Sequence, residues 1–253
     1  MTEDTLVRQA ADLIENSGKI VVLTGAGVSK ESGVPTFRDA LDGLWAQYDP
    51  MKLATPGAFQ ANPKLVWDWY ESRRELMSKA RPNPGHYALA EMKLRCPGLL
   101  LITQNTDDLH EQAGSKNIIH LHGNITQNKC FFDCRGDPTL VDVSKIEWDK
   151  ESGPPPCPHC GRWVRPAVVW FMEQLPSREL QLAQRASEDC ELMIVVGTSG
   201  LVTPAATLPH FAKHAKARII EVNPEHSMIT RMADLVLQGP SGKILPQIVE
   251  ALG

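Results

Sequence analysis

Two cysteine pairs are the first feature of this sequence that could do chemistry. Cys130 and Cys134 are separated by three residues, Cys157 and Cys160 by two, and 22 residues lie between the pairs. Thiolates at these spacings on two turns suit tetrahedral zinc, and Pro158 and Gly161 favour the tight turn at the second pair. No fifth ligand is suggested nearby, so the expected site is closed and structural. The first pair is C-x3-C where C-x2-C is usual. Cys96 and Cys190 have no partner in sequence and read as buried thiols.

His122 is the candidate for proton transfer, because it follows an apolar run, precedes Gly123 and titrates near neutrality. A lone histidine there can equally be a satisfied structural residue, and only a ligand hydroxyl within reach would make it a general base. Three polar loops offer a ligand for it. Gly25-Ala26-Gly27-Val28-Ser29-Lys30 follows a short apolar run, where glycines let backbone N–H groups approach a phosphate. Position 30 is Lys where a dinucleotide fingerprint has Gly, so the loop reads as either a phosphate cradle or a plain strand-to-helix turn. Thr103-Gln104-Asn105-Thr106-Asp107-Asp108-Leu109-His110 is dense in groups suited to ribose hydroxyls and a carboxamide, and Gly197-Thr198-Ser199 offers hydroxyls and backbone donors. Each could also be a polar helix cap.

These loops need a scaffold. Short apolar runs at 20–23, 99–102, 118–121, 168–171, 192–196, 218–222 and 235–237 read as buried parallel strands. Helix-length segments at 6–14, 107–113, 177–188 and 204–215 lie among them, which predicts an α/β fold with a parallel sheet. In that fold the three loops meet at the carboxyl edge, where open sheets bind ligands. Two stretches break the alternation, one rich in Trp, Arg and Pro at about 40–90 and one carrying the cysteines at about 126–166.

The chain has 253 residues, 42% hydrophobic and 22% charged, enough for a sizeable core. A net charge of −4 gives no drive toward nucleic acid or anionic lipid. No run approaches a membrane span and the start Met1-Thr2-Glu3-Asp4 is acidic, so a cytoplasmic protein is expected. The oligomeric state stays open, with a monomer expected.

Taken in order, these motifs resemble the sirtuin family over nearly the whole chain. The segment from Gly25 to Arg38 resembles its cofactor loop, Thr103-Gln104-Asn105-Thr106-Asp107 its Thr-Gln-Asn-Ile-Asp segment, and His122-Gly123 its catalytic His-Gly. Gly197-Thr198-Ser199 resembles the second cofactor loop and Glu221-Val222-Asn223 the adenosine-side strand end. The resemblance implies a Rossmann-type large domain over 1–40, 86–125 and 166–253, a helical acyl-pocket segment over 41–85 and a zinc module over 126–165. It also implies NAD as a consumed co-substrate, one structural zinc, and acylated-lysine peptides and proteins as partners, with no membrane and no specific nucleic acid. Lysine, nicotinamide and O-acyl-ADP-ribose would be the products. By position, Gly25, Ala26, Gly27, Arg38, Gln104, Gly197, Thr198, Ser199, Asn223 and Ser241 would contact the cofactor. Asn105 and Asp107 would lie near its nicotinamide ribose, with His122 as general base. The peptide would lie as an added strand between 168–171 and 200–202, meeting Val168, Phe171 and Val202. Thr106 stands where the family usually has Ile, and Met172 where it usually has Gly.

Trp67-Asp68-Trp69-Tyr70-Glu71-Ser72-Arg73-Arg74 reads as helix, with Tyr70 and Arg73 on one face. By itself this is an exposed face with Arg73 paired to Glu71 or Glu75. With Ala54, however, the Tyr-x-x-Arg pair resembles the sirtuin subgroup that removes succinyl and malonyl groups, Ala leaving room and Tyr and Arg holding the distal carboxylate. The alternatives are a general deacetylase, a mono-ADP-ribosyltransferase, a non-catalytic NAD or ADP-ribose binding module, and a zinc-ribbon nucleic-acid binder.

Overall fold

A computed structural model describes residues 2–34 and 53–253. The expected cofactor contact Arg38 lies outside the described residues. The chain runs α1 (Glu3–Glu15), β1 (Ile20–Thr24), α2 (Gly27–Lys30), α3 (Pro56–Ala61), α4 (Pro63–Lys79), α5 (Pro84–Arg95), β2 (Leu99–Thr103), α6 (Leu109–Gln112), β3 (Ile119–His120) and β4 (Gly123–Cys130). It continues through β5 (Val164–Val168), α7 (Ser177–Asp189), β6 (Leu192–Val196), α8 (Leu208–His214), β7 (Arg218–Asn223), β8 (Leu235–Gln238) and α9 (Ser241–Ala251).

Six strands form one parallel sheet in the order β3-β2-β1-β6-β7-β8. This is the expected α/β fold. Its centre, β1 beside β6, is buried along its whole length because helices cover both faces. Alternate side chains separate the two cores. Ile20, Val22, Ile194 and Ile220 pack with α1, α5 and α9, while Val21, Leu23, Met193 and Ile219 pack with α7 and α8. Burying each such aliphatic side chain contributes roughly 1.5–3 kcal/mol. Chain order reverses at β1 and β6, so the loops after these two strands open side by side at the carboxyl edge. Among the described residues no helix is long and apolar enough to cross a membrane.

One strand expectation is corrected. The run 168–171 is not a parallel strand: Val168 ends β5, which pairs antiparallel with β4 in a separate two-stranded sheet, and 169–171 is loop. Its apolar residues are needed because Val168 and Trp170 pack on Phe59, Val66, Trp69 and Tyr70 of α3 and α4. Strand β4 was not expected at all. The helix expected at 107–113 shrinks to α6, with Gly114 just beyond it at φ +100°.

Helix α4 joins the two parts of the molecule. Asn62 accepts its Leu65 N–H as an N-cap and Pro63 starts the first turn. Trp67 packs with Cys130, Val141, Cys157 and Val164 of the cysteine module, whereas Val66, Trp69 and Tyr70 pack in the adjoining cluster.

Met172, just beyond β5, takes φ +70° while its side chain is 93% exposed. A left-handed conformation costs a residue with a Cβ about 1–2 kcal/mol, which glycine avoids at the expense of greater freedom when unfolded. Met172→Gly should therefore raise stability by about 0.5–1 kcal/mol, read as a higher urea midpoint at unchanged slope. A lower midpoint would mean that the exposed side chain contributes contacts of its own.

Candidate active site and metal centre

Close approach of two loops builds the ligand-facing edge. Gly27 N–H donates to the Gly197 carbonyl at 2.8 Å and Gly25 N–H to the Val196 carbonyl at 3.0 Å. A Cβ on Gly27 would sit 2.7 Å from Gly197 Cα, and Gly197 itself has φ +60°, so both positions require glycine. Gln104 reaches across from the end of β2: its backbone N–H donates to the Thr24 carbonyl and its Nε2 to Thr198 Oγ1 at 3.2 Å. Asn223 Nδ2 donates to the Thr198 carbonyl at 2.9 Å, and the Ser199 carbonyl accepts from Met228 N–H. Ala26 is exposed at the mouth. The structure thus brings Gly25, Ala26, Gly27, Gln104, Gly197, Thr198, Ser199 and Asn223 to one edge. Ser241 joins indirectly, since its hydroxyl and the Gly242 N–H both donate to Glu31 just after α2.

Beneath this edge lies a buried polar network. Ser29 Oγ accepts from Asn105 Nδ2 at 2.9 Å and donates to Asp107 Oδ2 at 3.0 Å. Asp107 Oδ1 accepts the Leu109 N–H, so this carboxylate also stabilises the start of α6. Burial holds the Asp107 carboxyl above the usual carboxylate range, partly offset by these donors.

Two histidines complete the network, and their tautomers follow from it. His86 Nδ1 accepts from the Asn83 N–H, a capping box at the start of α5, so its proton sits on Nε2, 3.4 Å from Ser29 Oγ. Thr24 Oγ1 donates to Thr103 Oγ1, which leaves His110 Nε2 as the donor in its 3.0 Å contact with Thr24 Oγ1. His110 Nδ1 then carries a buried lone pair with no partner among the described residues. Burial pushes His86 down to about 4 and His110 to about 3, so both are neutral. Ser29, His86, His110, Thr24 and Thr103 were not expected as site residues. Ser29 carried a signal as the hydroxyl after the glycines, and Thr103 and His110 as the two ends of the amide-rich loop. Thr24 and His86 carried none, and a buried histidine looks the same in sequence as an exposed one.

His122 sits at the end of this edge, part-buried. Its Nδ1 lies 2.8 Å from the Gln104 carbonyl, which can only accept, so Nδ1 carries the proton and Nε2 the lone pair. Burial lowers its pKa, against which the Gln104 carbonyl raises it. A neutral imidazole with a free Nε2 can take a proton from a hydroxyl brought to it.

On the other side, Ala54, Tyr70, Val168 and Trp170 share one buried cluster, with Phe171 against it. The Ala54 carbonyl accepts the Phe171 N–H at 2.9 Å. Arg73 lies half-buried with its guanidinium 5.0 Å from the Trp69 ring centre. Nearby on the same helix, Glu71 pairs with Arg74 and Glu75 with Lys79. Val202 is exposed in the loop after β6.

The four expected cysteines converge. Their sulfurs all lie within 4.8 Å of one another, with 3.6 Å between Cys130 and Cys160 and 3.9 Å between Cys134 and Cys157. A tetrahedron with Zn–S bonds of about 2.3 Å has S···S edges of about 3.8 Å, so the donors fit zinc. These separations are far beyond a disulfide bond of about 2.05 Å. Cys190 is buried, while Cys96 is only half-buried.

The model of the Sir2 family matches residues 25–204. The chain belongs to the Sir2 family. A Ralstonia nicotianae protein called NAD-dependent protein deacylase is 48% identical over 241 residues, 95% of each chain. The solved structure of a Sir2 homologue–NAD complex is 44% identical, with a TM-score of 0.86 over 96% of this chain and 93% of that one. Sir2Af2 bound to a myristoylated histone peptide is 36% identical, with a TM-score of 0.75 over 98% and 96%. This Sir2 chain therefore has the fold and the family expected from its motifs.

Zinc in this Sir2 chain would be held by Cys130, Cys134, Cys157 and Cys160 and would supply folding energy rather than chemistry. Purified protein should carry one zinc per chain by elemental analysis. Chelation should lower the thermal midpoint and loosen the cluster on both sides of α4, since Trp67 packs on Cys130 and Cys157. Metal-free protein with an unchanged midpoint and activity would count against this.

Proposed function

We propose that the chain is an NAD-dependent protein-lysine deacylase that removes succinyl and malonyl groups as well as acetyl, acting as a cytoplasmic monomer on acylated lysine peptides. Deacylation rests above all on the state of His122: Nδ1 is tied to the Gln104 carbonyl, and Nε2 is left with a lone pair beside the loops that would hold the cofactor. Bound NAD supplies an ADP-ribosyl acceptor for the acyl group and nicotinamide as the leaving group. Gly25, Ala26, Gly27, Gly197, Thr198 and Ser199 would cradle it, with Gln104, Asn223, Ser241 and Arg38 around them. Asn105, whose Nδ2 is committed to Ser29, would offer its Oδ1, and Asp107 would face the ribose end. His122 would accept a proton from a ribose hydroxyl, shifting electron density toward the acyl carbon.

The peptide would run beside Val168, Phe171 and Val202. Backbone N–H groups of Val169, Trp170 and Phe171 are already given to His122, Glu173 and Ala54, so a peptide N–H would meet carbonyls on this side. The acidic preference is supported by the gathering of Ala54 and Tyr70 in one cluster with Arg73 on the adjoining turn of α4. Desolvating a carboxylate opposes binding unless the pocket answers it with charge. Arg73 has that charge; burial lowers its pKa, which Tyr70 partly offsets.

His122→Ala should leave NAD binding intact and cut deacylation by a factor on the order of 10² or more. In the native enzyme the same base should keep working through its ordinary pKa near 6.5 and lose activity only at more acid pH, since its pKa is lowered and the free lone pair is the active form. Near-normal turnover in His122→Ala would remove it from the mechanism. Arg73→Met should reduce kcat/KM for succinyl-lysine by about tenfold to about 150-fold, the worth of a charge-assisted contact, while deacetylation is unchanged or faster. A succinyl-to-acetyl ratio that does not move in Arg73→Met, or that lies below one in the native enzyme, would leave a general deacetylase in its place.

A further inference from the structure

We infer that Trp170 is a specificity-determining positioning residue, whose indole N–H occupies the Tyr70 oxygen and commits the Tyr70 hydroxyl proton to the distal carboxylate of an acidic acyl group. The inference rests on the acidic-pocket reading above and deepens it. Trp170 Nε1 donates to the Tyr70 hydroxyl at 2.9 Å, across 100 residues of sequence. A phenol has one proton and accepts through its oxygen, and an indole N–H can only donate, so the Tyr70 proton must point away from Trp170. Arg73, the neighbouring cation, has no acceptor either. Among the described residues the Tyr70 hydroxyl has no hydrogen-bond acceptor, although the side chain is only 5% exposed. A ligand carboxylate supplies the acceptor that the described residues do not, whereas an acetyl or aliphatic group does not. Burial pushes the Tyr70 pKa up to about 12, so the proton stays on the oxygen at any working pH.

The indole is itself clamped. Trp170 is 2% exposed, with the Arg165 guanidinium 3.3 Å from its ring centre and Phe59 at 5.2 Å. Arg165 donates to the Val168 carbonyl and to both oxygens of Glu173, and Glu173 in turn accepts the Trp170 backbone N–H. Ring and backbone are therefore fixed from two sides, and the Nε1–H direction is fixed with them. The Tyr70 hydroxyl inherits that direction.

Removing the N–H frees the phenol to rotate, so Trp170→Phe should lower the succinyl-to-acetyl ratio of kcat/KM by about threefold to tenfold, the range of one oriented neutral hydrogen bond. In a Tyr70→Phe background the same change should leave the ratio where it was, because nothing remains to orient. Tyr70→Phe alone strands the buried indole N–H, so Tyr70→Phe with Trp170→Phe should have a higher thermal midpoint than additivity of the single changes allows. If Trp170→Phe fails to fold, β-(3-benzothienyl)alanine at position 170 keeps the bicyclic shape and removes only the N–H. Equal losses on succinyl- and acetyl-lysine peptides, or additive effects in the two backgrounds, would overturn the inference. A ratio that moves in Arg73→Met but not at position 170 overturns it while leaving the acidic pocket standing. A ratio that moves in neither overturns both.

Discussion

The contact between Gly27 and Gly197 is the constraint on which the ligand-facing edge depends. Two parallel strands, β1 and β6, lie side by side at the centre of the sheet, and their following loops touch backbone to backbone with no room for a Cβ on either glycine. That approach lets Gln104 bridge from the third loop to Thr24 and Thr198. It also sets where the Gln104 carbonyl points, and that carbonyl fixes the tautomer of His122. Strand packing, loop geometry and proton placement are in this way one chain of cause.

Polar groups under that edge are kept in order by being buried and fully determined rather than by charge. Ser29 has one proton and gives it to Asp107; Asn105 and His86 both donate to Ser29. Neutral histidines suit this role because a buried imidazolium would need a counter-charge, while a neutral ring offers one donor and one acceptor at fixed angles. The arrangement orients Asn105 and Asp107 through Ser29. His120, near His122 in sequence, is held differently: burial would lower its pKa, but its ion pair with Glu111 outweighs that and raises it.

Helix α4 couples the cysteine module to the neighbouring apolar cluster. One face, through Trp67, is part of the core around Cys130 and Cys157; the next face carries Tyr70 into the cluster that holds Trp170 and Ala54. The four-cysteine cluster and the cluster around Tyr70 and Trp170 are thus supported by the same 17-residue helix. A metal held there would order the small module and pass that order on through packing.

The sequence by itself determined whatever depends on local period and spacing. All six parallel strands were legible as apolar runs, the ligand loops as glycines and amides directly after them, and the metal ligands as paired cysteines, because each signal lies within a few residues. Tertiary structure decided pairing and protonation. The run 168–171 is apolar like a parallel strand, but it follows an antiparallel partner, and that partner, Gly123–Cys130, is mostly polar with a register shift between Asn124 and Asn128, so no alternation announces it. The burial of His86 and His110, the orientation of His122 by a backbone carbonyl, and the meeting of Tyr70 with Trp170 all join positions far apart in the chain. Their chemistry depends on direction and on exclusion of water, which residue type and spacing do not encode.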